Sequence, residues 1–490
     1  MMASDQKKNQ HLLWRAGFGP AVEQLQDLQQ YTPREYYAAL AKASAKAPQY
    51  INIASDDLLQ LYESYLTPGK RATLTADDRR ILNRKQQAAV KDLNLYWLKE
   101  MIASSAQLRE KMAYFWHGHF ACRNGNLFYN QLFLHTLRTH ALGNFRTLLK
   151  EVSQSAAMLY FLNNQQNKKG HPNENFAREV MELFTLGRGN YTENDIKEGA
   201  RAFTGWSANP RGEFVFNKKQ HDDGVKEFLG RKGNFDGNDV LDIILEKRQT
   251  ATFITEKIYR FFVNDTIDKD RVQVLSDAFY KDYDIGKLME RIFTADWFYD
   301  DQQIGARIKS PIELLAGIQR MVPMRLDNDN ALMNLQRILG QQLLYPPNVA
   351  GWPGGKSWID SSTLMMRLRI PQLFNDKDLL NVKPKQDDDV MMGRKSDGMA
   401  NIPVKQTAKP AKPASGGGLI NAKIDWPQYI AKFEKVKREA IFPTISNYLF
   451  QVNTAGVDQV ATKFVDSSAR DAYIRSVTIQ LMSTPEYQMC

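Results

Sequence analysis

The chain has 490 residues, with 65 Lys and Arg against 55 Asp and Glu, a formal charge of +10 and a pI near 9.2. A hydrophobic content of 43% with 11% aromatics excludes a disordered chain, and the length is enough to bury a large core. The basic bias is mild, so it permits an anionic polymer such as a glycan, while the scattered Arg and Lys make nucleic acid an unsuitable partner.

No run of about 18 apolar residues occurs, which leaves no candidate transmembrane helix. The opening MMASDQKKNQHLLW has no apolar signal core, so the sequence as written reads as cytoplasmic unless a leader was removed or export uses another signal. Cys122 and Cys490 are the two cysteines; they form no CxxC or Cys/His zinc spacing and allow one disulfide at most.

In chain order, HLLWRAGFGP (11–20) opens a helical region that runs to residue 140. Residues 33–46 and 54–67 are amphipathic, and Ala76–Ala103 is a long helix with Val90, Leu93, Tyr96, Trp97 and Met101 near one face. Helices are also expected over Gln107–Phe120 and Leu132–Leu149. The stretch HPNENFAREVMELFTLGRGNYTENDIKEGARAFTGW (171–206) reads as two short helices joined by a turn at Gly187 and Gly189. Asn173 is the expected N-cap of the first, and Phe176, Val180, Leu183 and Phe184 are its core stripe. Thr192 and Asp195 form a capping box for the second.

Beyond it, GEFVFNKKQHDDG suggests a small hairpin around Phe214–Phe216. Asp239–Phe262, 270–298 and 308–323 are helical, with Pro311 at a helix start, and the Pro- and Gly-rich segment 345–362 is an ordered loop holding Trp352 and Trp358. Residues 381–423 shift to Lys, Pro, Gly and Ser, as in a flexible insertion, before helical periodicity resumes over 424–490. The expected fold is mainly α: a multi-helical globular protein with a small β-hairpin and long ordered loops. Its main domain spans 1–380, and its C-terminal helices, 424–490, pack back on that domain.

HLLWRAGFGP, FWHGHF, the 171–206 stretch, HDDGVKEFLG, PPNVAGWPGG and the closing LMSTPEYQMC, in this order, resemble the bacterial family DUF1800 over the whole chain apart from the 381–423 insertion. Gly118 stands where the family pattern FWHNHF has Asn, and both histidines are kept. The resemblance implies a largely helical protein, often with a genomic partner of the DUF1501 family (itself similar to sulfatases and alkaline phosphatases). It also implies a periplasmic or extracellular location, and it supplies no reaction.

Candidate chemistry concentrates in those motifs. His117 and His119 would lie about 200° apart on a continuous helix, so they could share one ion only where the helix ends, as Gly118 allows. With His221 and Asp222 they are the candidate ligands for a divalent transition metal such as Zn, Fe or Mn. The alternative is that the histidines cap a helix and that His221-Asp222-Asp223-Gly224 is a capped turn. Asn175, Glu179 and Glu182 recur at helical spacing, which makes Glu179 and Glu182 candidate acid–base groups with Arg178 beside them. Glu179 lies nearest the apolar stripe, and Glu182 is expected to hold Arg178 in an ordinary surface pair. Asn173, Asn175, Trp206 and Trp352 are candidate binding residues, the tryptophans by stacking on sugar faces or else by packing in the core.

Two readings follow. One is a metal-dependent enzyme, hydrolytic or oxidative, acting on an extracellular polymer. The other is a non-catalytic binding or assembly protein that works with a DUF1501-type partner. Either draws its polar pocket from the 117–124, 171–206, 221–224 and 345–358 segments.

Overall fold

A computed structural model of the chain describes residues 3–376, 420–452 and 462–490. Helix α1 (Asp5–Ala16) starts where the Ser4 hydroxyl accepts from the Lys7 amide, and every residue from Asn9 to Ala16 is buried. Being enclosed on all sides, it is the axis on which later elements pack. Helix α2 (Ala76–Ala103) keeps the expected bounds because Thr75 and Asp78 form a reciprocal capping box and no Gly or Pro interrupts it. Helix α3 (Gln107–His119) ends at its second histidine, with Phe120 as its C-cap.

The single helix expected over 132–149 is two, Leu127–Thr139 and Phe145–Gln154. The break has a local cause: Asn144 caps the second helix by accepting from the Arg146 amide, and the chain turns through Gly143. Helix α4 (Asn175–Glu179) runs into a π-turn, Val180–Thr185, and after the Gly187 and Gly189 turn comes helix α5 (Glu193–Ala202) with its Thr192–Asp195 capping box.

The expected small hairpin is two consecutive ones. Strand β1 (Trp206–Ala208) pairs antiparallel with β2 (Phe214–Phe216), and β3 (Lys226–Phe228) pairs with β4 (Arg231–Gly233). The helix pair expected within 239–262 is present, its second member being α6 (Arg248–Phe262). Helix α7 (Pro311–Met321) carries Pro311 in its first turn behind the Ser310 cap, and Met321 leads into strand β5 (Met324–Leu326).

Helix α8 (Ser361–Asp376) precedes the inserted segment, which lies outside the described residues up to 419. The chain then returns as β6 (Ala422–Ile424), which pairs antiparallel with β5, Met324 opposite Ile424. Helices α9 (Arg438–Leu449) and α10 (Arg470–Met482) follow. They are tied to the start of the chain: Lys7 Nζ donates to the Phe450 carbonyl at 2.8 Å and Gln10 Nε2 to that of Asn447 at 3.0 Å. One apolar cluster runs from Leu12 to Cys490 through all these helices. The architecture is mainly α, with sheets of two strands only among the described residues. No helix among them is long and apolar enough to cross a membrane.

Candidate functional site

The π-turn decides the local arrangement. The Leu186 and Gly187 amides both donate to the Met181 carbonyl, at 2.9 and 3.1 Å, and the Thr185 hydroxyl donates to the Val180 carbonyl at 2.6 Å. A π-turn inserts an extra residue into the helical register. Met181 is therefore buried beside Phe176, Val180 and Phe184, while Leu183, expected in the stripe, is only half-buried.

The same shift re-pairs the charges. Glu182 accepts from Arg188 Nε and Nη2 at 3.0 and 2.7 Å and from the Tyr191 hydroxyl at 2.8 Å. Arg178 pairs instead with Glu174, as the i, i+4 spacing suggests, and with Glu193. The expected Glu182–Arg178 pair does not form. The Tyr191 and Arg188 bonds hold the Glu182 carboxyl below its ordinary range. Glu179 is half-buried and accepts no hydrogen bond from any described residue; burial, reinforced by the nearby charge of Glu182, pushes its carboxyl up.

Two side chains close the far end of the π-turn. His119 Nε2 lies 3.1 Å from the Phe184 carbonyl oxygen, which can only accept, so this nitrogen carries the proton. Its Nδ1 then accepts from Lys257 Nζ at 3.3 Å, and the same ammonium donates to the Leu183 carbonyl at 2.9 Å. Carbonyls that a helix end leaves open are in this way taken by a cation and an imidazole. Burial lowers Lys257 to about 8, and burial together with the Lys257 charge pushes His119 well down. No carboxylate pairs with Lys257 among the described residues.

Lys257 is the residue that sequence reasoning missed. It sits on α6 at helical spacing from Ile254 and Phe261, within an otherwise apolar face, and that misplaced charge was the available signal.

His117 faces the opposite way. Its Nε2 accepts from the Leu344 amide at 3.2 Å, and its ring stacks on Trp352 with centroids 5.4 Å apart and meets the edge of Trp97 at 5.2 Å. Burial lowers it to about 3. His221 is elsewhere, its Nδ1 3.0 Å from the Thr204 carbonyl. Asp222 binds Arg201 Nε at 2.8 Å and the Gly224 amide at 2.8 Å, which hold it at about 2, and Glu198 takes the rest of that guanidinium. The candidate ligands His117, His119, His221 and Asp222 are thus held by separate partners. Among the described residues no three His, Cys, Asp or Glu side chains meet in a metal-binding group.

The remaining candidates are structural in placement. Asn173 is not the helix cap; its side chain accepts from the Asn175 amide at 3.0 Å in the preceding loop, and Asn175 Nδ2 donates to the Leu162 carbonyl at 3.1 Å. Trp206 packs in the core between Phe203 and Phe214, so it offers no stacking face. Trp352, half-buried, has one face on His117. Cys122 is buried, and burial pushes its thiol up.

Three of the four expected segments do meet. Gly351 packs so closely on the Gly118 carbonyl that a side chain there would collide, and Arg123 lies 3.4 Å over the Tyr345 ring. His119 joins that turn to the π-turn. The 221–224 turn touches the 171–206 stretch elsewhere, at Arg201 of α5 and at Thr204 just after it. A separate cavity of about 810 Å³ lies between Arg34–Pro48, Arg109, Arg138 and Glu290. The Arg109 and Arg138 guanidiniums are spent on the buried Glu110, at 2.9 Å each.

A family model described as "Protein of unknown function (DUF1800)" matches residues 11–489. No curated protein and no solved structure matches the chain.

Proposed function

The chain belongs to the DUF1800 family, and on that premise we propose that it is a hydrolase of an anionic polymer, working at the surface of the π-turn. The observation that carries this reading is Lys257: a cation near neutral in pKa, fixed by His119 and the Leu183 carbonyl, with no carboxylate among the described residues to neutralise it. A half-buried ammonium in this state attracts a carboxylate or sulfate group of a passing chain. Glu179, at the end of α4 beside the π-turn and with its carboxyl pushed up by burial, is the group that would pass a proton to a leaving oxygen, while water adds to the centre that the oxygen leaves and its proton returns to Glu179. His119 keeps the ammonium in place and stays neutral beside it. Because the three candidate histidines are held apart, this chemistry is assigned to side chains of the chain itself.

The test uses the full-length protein with alginate and pectate as acidic polymers and dextran as a neutral one. Retention of the acidic polymers and release of new reducing ends are expected for the wild type. Lys257→Met should lose retention, while Glu179→Gln should keep retention and lose cleavage by about 100-fold or more. Wild-type protein that neither retains nor cuts the acidic polymers, or variants that behave like it, would overturn the reading.

A further inference from the structure

The HLLWRAGFGP motif is not used by the π-turn site, yet it carries a concentration of buried polar atoms. His11, Trp14 and Arg15 lie at i, i+3 and i+4 on α1 and so project from one face, and all three are fully buried. Trp14 Nε1 and Arg15 Nε and Nη1 have no hydrogen-bond partner among the described residues.

This face meets a two-stranded bridge between 307–309 and 488–490. Arg15 Nη2 donates to the main-chain oxygens of Cys490 and Gln303, each at 2.9 Å. The Arg307 amide donates to the same Cys490 oxygen at 3.0 Å, and the Lys309 amide to that of Gln488 at 2.8 Å. Lys309 Nζ sits 3.9 Å from the Trp14 ring centroid and 3.7 Å from that of Tyr487. Arg367 donates through Nη1 to the Lys309 carbonyl at 2.9 Å and to Gln488 Oε1 at 3.3 Å. Its Nε and Nη2, with Arg307 Nε and Gln488 Nε2, are again buried without an acceptor among the described residues.

The imbalance is one of kind as well as number. Nearly all of these unmatched atoms are donors, and most belong to cations. Arg15, Lys111, Arg307, Lys309 and Arg367 are buried here, and Glu313 is the buried side-chain carboxylate among them, already taken by Lys111 and the Ser310 amide. Burial pushes Lys309 down to about 7. Negative charge at Glu313 and Cys490 acts on this cluster but falls short of five buried cations; water can accept from the spare donors but brings no charge, and buried cations short of counter-charge are among the most costly groups in a fold.

We propose that the cluster of Trp14, Arg15, Arg307, Lys309, Arg367 and Gln488 is a binding site for one tetrahedral oxyanion, phosphate or sulfate, held inside the fold. Four acceptor oxygens match a set of donors drawn from α1, the 307–309 strand, α8 and the 488–490 strand, and two negative charges offset the excess of cations. The ion would then tie the first helix of the family motif to the 488–490 segment.

The experiment takes the full chain, purified and exchanged into chloride buffer, then acid-denatured, with the supernatant read by ion chromatography. About one oxyanion per chain is expected, and the retention time says whether it is phosphate or sulfate. Protein refolded without oxyanion should gain thermal stability on adding phosphate or sulfate at constant ionic strength, and chloride should not reproduce the gain. Gln488→Leu removes a neutral donor, and with it the Oε1 that accepts from Arg367, while leaving every cation in place; it should weaken the phosphate response about tenfold, and Arg367→Met more. The absence of any released oxyanion together with equal responses to phosphate and chloride overturns the proposal. So does a full response retained in both variants. Polymer cleavage at Lys257 is not read in any arm, so the two readings fail separately.

Discussion

His117 and His119 show how burial converts a titratable residue into a stability switch. Both are buried, and the pKa of each is pushed below the ordinary 6.5, His117 to about 3. The unfolded chain takes up protons near pH 6.5 that the folded chain refuses, so stability is full above that pH and falls as the pH drops towards 3. Urea denaturation across pH 4–8 should show this slope, and His117→Phe should flatten it while costing about 1–3 kcal/mol at neutral pH through the unmet Leu344 amide. Glu313 responds over a lower range. Burial raises its pKa, but Lys111, Arg307 and the Ser310 amide outweigh burial and hold it at about 2. Its contribution is present above pH 4.5 and lost as the pH falls through 2. Glu313→Gln should remove that acid-linked loss and cost about 3–5 kcal/mol at neutral pH, because Lys111 is left buried without its partner.

At the level of the element, the π-turn and its glycines make a sharper comparison. Gly187 and Gly189 both have positive φ, 78° and 86°, yet a Cβ at Gly187 would lie 2.8 Å from the Phe253 ring and one at Gly189 would meet nothing within 4 Å. Gly189→Ala should therefore cost only the backbone penalty of about 1–2 kcal/mol, and Gly187→Ala about 1–3 kcal/mol more. Denaturant midpoints at unchanged m-value would measure the difference, and equal costs would contradict the packing described for Phe253. That these glycines break a helix is legible in the residue pattern alone. The π-turn ahead of them is not, because its hydrogen bonds depend on Thr185 reaching back to Val180 and on Lys257 and His119 taking the carbonyls, and those two arrive from distant helices.

Across the whole molecule, the first and last segments are interlocked. Trp14 is packed against Gly19 and Gly317, and α1 is bonded to the 447–451 region and to Cys490. Calorimetry should accordingly show residues 1–380 and 424–490 melting in one transition with equal calorimetric and van't Hoff enthalpies; two resolved transitions would contradict it. Trp14→Ala should lower the stability of the entire chain by about 3–5 kcal/mol rather than fray one end.

Helix type and approximate extent were set by the sequence itself wherever the determinants are local: the Thr75–Asp78 and Thr192–Asp195 boxes, Pro311 in a first turn, and the glycine breaks. The family likewise was readable from motifs lying in order along the chain. What only the tertiary structure decided is which polar groups share a place. His117 and His119 are neighbours in sequence but point to different partners. Lys257 joins His119 across 138 positions, and Arg15 reaches Cys490 across 475. Local periodicity fixes the direction in which a side chain leaves its own helix, whereas charge pairing and burial depend on what the rest of the chain brings to meet it.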